Sequence, residues 1–121
     1  MTTARRLKKN THWRGLMAER AAAWFLRLKG WHILERRWLC KQGEVDLIAR
    51  KGALLIFVEV KFRADFDAAL AALTSAQWQR IERAADIYMS RLGREKGFSW
   101  RFDAVCVVPW RMPKHIQGAW G

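Results

Sequence analysis

Between Gly43 and Arg63 the chain reads GEVDLIARKGALLIFVEVKFR, two runs of β-branched and aliphatic residues interrupted by Glu44, Asp46, Glu59 and Lys61. Charges placed in strands are costly to bury unless they are paired or bind a metal. Two carboxylates and a lysine on one side of a hairpin form an oxygen-donor pocket for a hard divalent cation such as Mg²⁺ or Mn²⁺, with Asp46 and Glu59 as ligands. Such an ion clamps a phosphodiester oxygen and lowers the pKa of a bound water, while a nearby lysine, here Lys61, orients that water or offsets the developing charge. Arg63, just past Lys61, is the candidate phosphate contact. The plain alternative is a solvated outer face carrying cross-strand salt bridges, and a Glu-x-Lys triplet on a strand is weak evidence by itself.

The elements that must hold these groups follow from periodicity. Two strands, Glu44 to Arg50 and Ala53 to Lys61, are separated by Lys51-Gly52, the right length for a tight hairpin turn. With that turn Arg50 pairs with Ala53 and Asp46 sits opposite Phe57. A four-residue loop would instead set Asp46 directly opposite Glu59. Alternation of side chains puts Asp46, Leu55, Phe57, Glu59 and Lys61 on one face in either register. Val45, Leu47, Ala49, Leu54, Ile56, Val58 and Val60 make the other face apolar, so one side of the sheet is expected dry and the other charged. Glu44 falls with Asp46 and reads as a solvated strand-end acid.

Around the hairpin, a helix is expected from about Gly15 to Lys29, with Met17, Ala21, Trp24, Phe25 and Leu28 as its apolar face and Gly30 as its stop. Glu19 lies roughly opposite that face, which periodicity alone reads as solvated. A strand around WHILERRWL follows, with irregular alternation. The stretch after Asp67 is helical and re-capped at Thr74 or Ser75, burying Trp78, Ile81, Ala85, Tyr88, Met89 and Leu92. A last strand, WRFDAVCVVP, closes at Pro109, and the tail from Trp110 has no periodicity. The order is α-β-β-β-α-β in one α/β domain over 15–109, with a flexible basic arm over 1–14 and a tail over 110–121.

The 121 residues carry 23 Lys and Arg against 11 Asp and Glu, a formal charge of +12, which favours polyanionic partners, nucleic acid ahead of an anionic membrane. No apolar run is long enough to cross a bilayer and no signal-peptide core follows the basic start, so a cytoplasmic protein is expected. Cys40 and Cys106 form no C-x-x-C pair and read as reduced thiols, and His12, His32 and His115 are too scattered for a zinc cage. Of the eight tryptophans, Trp24, Trp78 and Trp100 fall on expected core faces. Trp13, Trp110 and Trp120 lie in the basic ends, where they could stack on unpaired bases.

The segments GLMAERAAAWFLRLKGWHILERRW, GEVDLIARKGALLIFVEVKFR and RFDAVCVV resemble the YraN-like family of small bacterial proteins, related to Holliday-junction resolvases within the PD-(D/E)XK nuclease superfamily. The resemblance spans about Gly15 to Val108. It implies a restriction-endonuclease-like fold, a central mixed sheet flanked by helices, and a Mg²⁺-dependent nuclease-type site. Asp46 matches the motif's first acid, Glu59 and Lys61 its (D/E)-x-K, and Glu19 an acid on the first helix of related resolvases. The chain departs from the family where Asn followed by an aromatic is common and Arg37-Trp38 stands here, and at Phe66-Asp67 in place of Phe-Gly. A lysine is common near Gln77, a role Arg80 can take as a nucleic-acid contact. The reading is therefore an endonuclease for DNA, branched or flapped, using Mg²⁺ or Mn²⁺, with catalytic Asp46, Glu59, Lys61 and Glu19. Its rival is a non-catalytic nucleic-acid-binding module or a subunit of a DNA-processing complex. The oligomeric state, homodimer included, stays open.

Overall fold

The computed structural model describes the backbone of residues 3–121 and the side chains from Gly15 onward. Helix α1 (Thr3–Leu28) leads into strands β1 (His32–Cys40), β2 (Gly43–Lys51) and β3 (Leu54–Phe62). Helices α2 (Phe66–Ala71) and α3 (Ser75–Leu92), a single 3₁₀ turn at Arg94–Lys96, and strands β4 (Ser99–Val107) and β5 (Lys114–Trp120) complete the chain. The strands form one sheet in chain order, β1-β2-β3-β4-β5, antiparallel throughout except for the parallel β3–β4 pair that α2 and α3 connect. This mixed sheet between helices is the expected fold. The helix expected to begin near Gly15 starts at Thr3. The basic arm expected over 1–14 thus falls partly on this helix, and its first two residues and all its side chains, Trp13 included, lie outside the described ones.

The tail beyond Trp110, which has no periodicity, supplies the fifth strand. Its register on β4 shifts between Phe102 and Ala104, and Gly118 takes φ 60 at the irregularity. A bulge of this kind breaks the two-residue alternation on which strand recognition rests. A second shift, between Ile33 and Glu35, accounts for the irregular pattern of β1. In the β2–β3 hairpin, Lys51 pairs with Leu54, so the turn is Gly52-Ala53 and not Lys51-Gly52. Gly52, at φ 60, takes the first central position, where a type II′ turn calls for glycine.

Both faces of the sheet are apolar, contrary to the expected division into a dry side and a charged side. Leu47, Ala49, Ile56, Val58 and Val105 pack against Ala18, Ala22, Ala23 and Leu26 of α1. On the other side Val45, Ile48, Leu55, Phe57 and Ala104 pack against Trp78, Ile81, Ala84, Ala85 and Met89 of α3. Thr74 caps α3 as expected, its hydroxyl accepting from the Gln77 N–H at 3.3 Å. A parallel β3–β4 pair buried under helices on both faces is the usual arrangement for a crossover sheet.

Helix α1 lies on the sheet by the face opposite to the one its large residues suggest. Met17, Trp24 and Leu28 are exposed at 48%, 62% and 61%, whereas Ala18, Ala22, Ala23 and Leu26 are buried. Small side chains allow the helix backbone to come close to the strands, and at about 100° per residue Glu19 falls in the middle of the buried arc. The expected core position of Trp24 and the expected solvation of Glu19 are both overturned by this one rotation. Trp78 is buried and Trp100 packs against the α3 cluster as expected. Trp120 packs there too, and Trp110 is fully exposed.

Candidate active site

Strands β2 and β3 pair from Lys51↔Leu54 to Leu47↔Val58 and then part. Continued by one step, the register sets Asp46 level with Glu59, one of the two registers compatible with the sequence. In place of the next ladder bond, the Val60 N–H donates to Asp46 Oδ2 at 2.7 Å. The side chain thereby satisfies a backbone donor that the parting strand would leave unpaired. On β1, the pairs Arg36↔Leu47 and Trp38↔Val45 flank Arg37, which therefore stands opposite Asp46 on the other side. Arg37, Asp46 and Glu59 occupy one level of three neighbouring strands. Here alternation along β2 also fails, since Val45 packs on the α3 side while Leu47 packs on the α1 side.

Two hollows open from this level. A cleft of about 480 Å³ on the α1 side is lined by Glu19, Arg37, Glu44, Asp46, Lys61 and Arg63, among others. A smaller one of about 160 Å³ on the α3 side is lined by Gly43, Glu44, Asp46, Glu59, Gln77 and Arg80, with Ile81. Asp46 borders both. Lys61 Nζ lies 3.2 Å from Glu59 Oε1, and the two side chains are nearly buried, at 12% and 11% exposure. The elements thus bring together Asp46, Glu59 and Lys61, with Arg63 and Arg80 on opposite flanks.

The electrostatics are those of crowded carboxylates. Burial, and then repulsion from Glu59, push the Asp46 carboxyl up to about 7 from an ordinary 3.8, against the Val60 N–H and Lys61, which favour the ion. Burial also raises Glu59, opposed by the Lys61 charge and hydrogen bond. A cation between these carboxylates would relieve both costs. Gln77 also lines the smaller hollow, and its Oε1 is buried with no hydrogen-bond partner. Among the described residues no three Asp, Glu, His or Cys side chains form a ready-made cage. Two carboxylates completed by waters and phosphate oxygens suit Mg²⁺ or Mn²⁺, so the donor set fits.

Glu19 is buried at the α1 wall and meets Arg36 Nε at 3.1 Å and Arg37 Nε at 3.4 Å. It lines the cleft with Asp46, but its charged partners are these guanidinium groups. A profile of the uncharacterised protein family UPF0102 matches residues 18–107. The chain belongs to this family, the YraN-like one. A UPF0102 protein of Brucella canis is 48% identical over 116 residues, covering 96% of this chain and 92% of its own. UPF0102 proteins of Bartonella tribocorum and Bartonella bacilliformis are 45% and 44% identical, covering 95% and 91% of this chain and 88% and 90% of their own.

Within this UPF0102 chain, sequence reasoning passed over Arg37 and Gln77 as site residues. Arg37 stood only as a departure from the family pattern, and its signal lay in that departure, a charged residue where Asn is common. Cys40 and Cys106 are free thiols. Among the described residues no helix is long and apolar enough to cross a membrane.

Proposed function

We propose that the chain is a metal-dependent endonuclease acting on DNA, with branched, Holliday-junction-like DNA as the candidate substrate and a cytoplasmic site of action. The observation that carries this reading is the meeting of Asp46, Glu59 and Lys61 where β2 and β3 part, between a cleft lined by Asp46, Lys61, Arg37 and Arg63 and a hollow lined by Asp46, Glu59 and Arg80. Asp46 and Glu59 would hold Mg²⁺ or Mn²⁺, which supplies Lewis-acid charge to a phosphodiester and acidifies water. Lys61 sets its Nζ against Glu59, beside the place where a phosphate would gain negative charge. Arg63 and Arg80 offer phosphate contacts on the two sides of the site, and Glu19 supports it from α1. The charge of +12 draws the polyanion to the surface.

A second reading keeps the nucleic acid and drops the reaction. It is favoured by the charge of +12, which serves binding to a polyanion without any reaction. The deciding experiment is a cleavage screen in Mg²⁺ and Mn²⁺ over linear, flapped and four-way DNA, with binding followed in Ca²⁺. The nuclease reading expects nicking that Lys61→Ala and Asp46→Asn abolish while most DNA affinity remains. Nicking undiminished in both variants, or none by the wild type on any substrate, overturns it. The latter outcome leaves the binding module.

A further inference from the structure

Arg37 is set in its place by two features that a surface arginine does not need. Its backbone has φ 50, in the left-handed region that a residue with a long side chain rarely adopts. Its Nε meets the buried carboxylate of Glu19, which also holds Arg36. Strain and a buried partner at one position mark a side chain whose direction matters. The direction here is the cleft: Arg37 lines it with Asp46, Lys61 and Arg63, and its place on β1 is level with Asp46 on β2.

A guanidinium held through Nε and still half exposed, at 47%, is suited to bind an anion with its terminal N–H groups. The cleft sets Arg37, Lys61 and Arg63 beside Glu19, Glu44 and Asp46, so a phosphodiester accompanied by a divalent cation would meet opposite charge for both of its parts there. We propose that Arg37, oriented by Glu19, is a phosphate-binding residue of the cleft that grips the nucleic-acid backbone beside the Asp46–Glu59 pair. Glu19 is then a positioning residue, acting through Arg37. The inference rests on the nucleic-acid reading given above and adds the residue that fixes the backbone's position.

Arg36 is the natural control. It shares Glu19, carries the same charge and sits one residue away, but it has no positive φ and belongs to the ladder with Leu47. The test compares Arg37→Asn and Arg36→Asn by fluorescence anisotropy with four-way DNA in Ca²⁺, over a range of salt. Asparagine tolerates the left-handed region, so Arg37→Asn is expected to fold, which circular dichroism and a thermal melt check. Arg37→Asn is expected to weaken binding roughly tenfold and to lower the salt slope by about one, whereas Arg36→Asn changes affinity about twofold or less. Arg37→Lys should recover only part of the loss, because an ammonium lacks the planar fork. Glu19→Gln should give a loss that is not additive with Arg37→Asn.

Equal losses in the Arg37 and Arg36 variants, with the wild type binding well, would mean bulk charge and overturn the proposal while leaving the nucleic-acid reading intact. A wild type that fails to bind DNA even at low salt overturns both.

Discussion

The Val60 N–H donates to Asp46 Oδ2 at 2.7 Å, so the carboxylate that would face a metal is also the group that ends the β2–β3 ladder. The bond couples site and fold. It holds β3 where Glu59 and Lys61 leave the hairpin, and it does so with an oxygen whose ionisation burial disfavours.

A pH dependence follows. The Asp46 carboxyl is raised to about 7 in the folded chain, against 3.8 ordinarily. The cost of ionising it in place is therefore absent below pH 4, grows as pH rises toward 7, and is full above that. Its slope is at most about 1.4 kcal/mol per pH unit. Asp46→Asn keeps an oxygen for the Val60 N–H and removes the charge. Melts should show the variant more stable than wild type at pH 8 and no more stable at pH 3.5. Mn²⁺ should raise the melting temperature of the wild type only. A variant less stable at pH 8 would contradict this.

On β4, in register with Val58, Asp103 behaves with the opposite sign. It is fully buried and accepts from Arg101 Nε at 2.7 Å, Arg101 Nη2 at 2.8 Å and the Gly118 N–H at 3.0 Å, and lies 2.7 Å from His115 Nε2. Burial raises its carboxyl, but these partners together outweigh it and hold the group down at about 2. Lys29 Nζ lies 2.7 Å from His115 Nδ1, and an ammonium has no lone pair, so Nδ1 accepts and the ring proton faces Asp103. This stabilisation is present above pH 4 and is lost as pH falls from about 4 to 2. Asp103→Asn should cost on the order of 3 kcal/mol at pH 7, read from urea unfolding, because it leaves buried donors unmatched. The deficit should shrink toward pH 2.

The orientation of α1 makes a sharp prediction about packing. Leu26→Ala should destabilise by roughly 2–5 kcal/mol, as for a fully buried leucine, while Trp24→Ala should change stability by about 0.5 kcal/mol or less. Urea unfolding of the two variants decides it. The reverse order would mean that the helix lies on its other face.

The binding surface predicts a salt effect. With a charge of +12, DNA affinity should fall steeply between about 50 and 200 mM salt through counterion release. Anisotropy titrations that show no slope would remove the physical basis of the nucleic-acid reading.

The elements with regular periodicity were legible along the chain: the β2–β3 hairpin, β4, and the Thr74-capped α3 with its Trp78–Ile81–Ala85 face. These depend on neighbours along the chain, whose spacing fixes which side chains share a face. Three things were decided only by tertiary packing. The tail became β5 because β4 offered an open edge, and the Gly118 irregularity hid its alternation. Helix α1 turned its alanines inward and left Trp24 exposed, and that rotation buried Glu19 against the half-exposed Arg36 and Arg37. The level shared by Arg37, Asp46 and Glu59 arose from a turn set one residue later than its Lys51-Gly52 signature and from a backbone irregularity in β1. Periodicity reports which way a residue points relative to its neighbours, but not which of two faces finds a partner. That choice belongs to the partner.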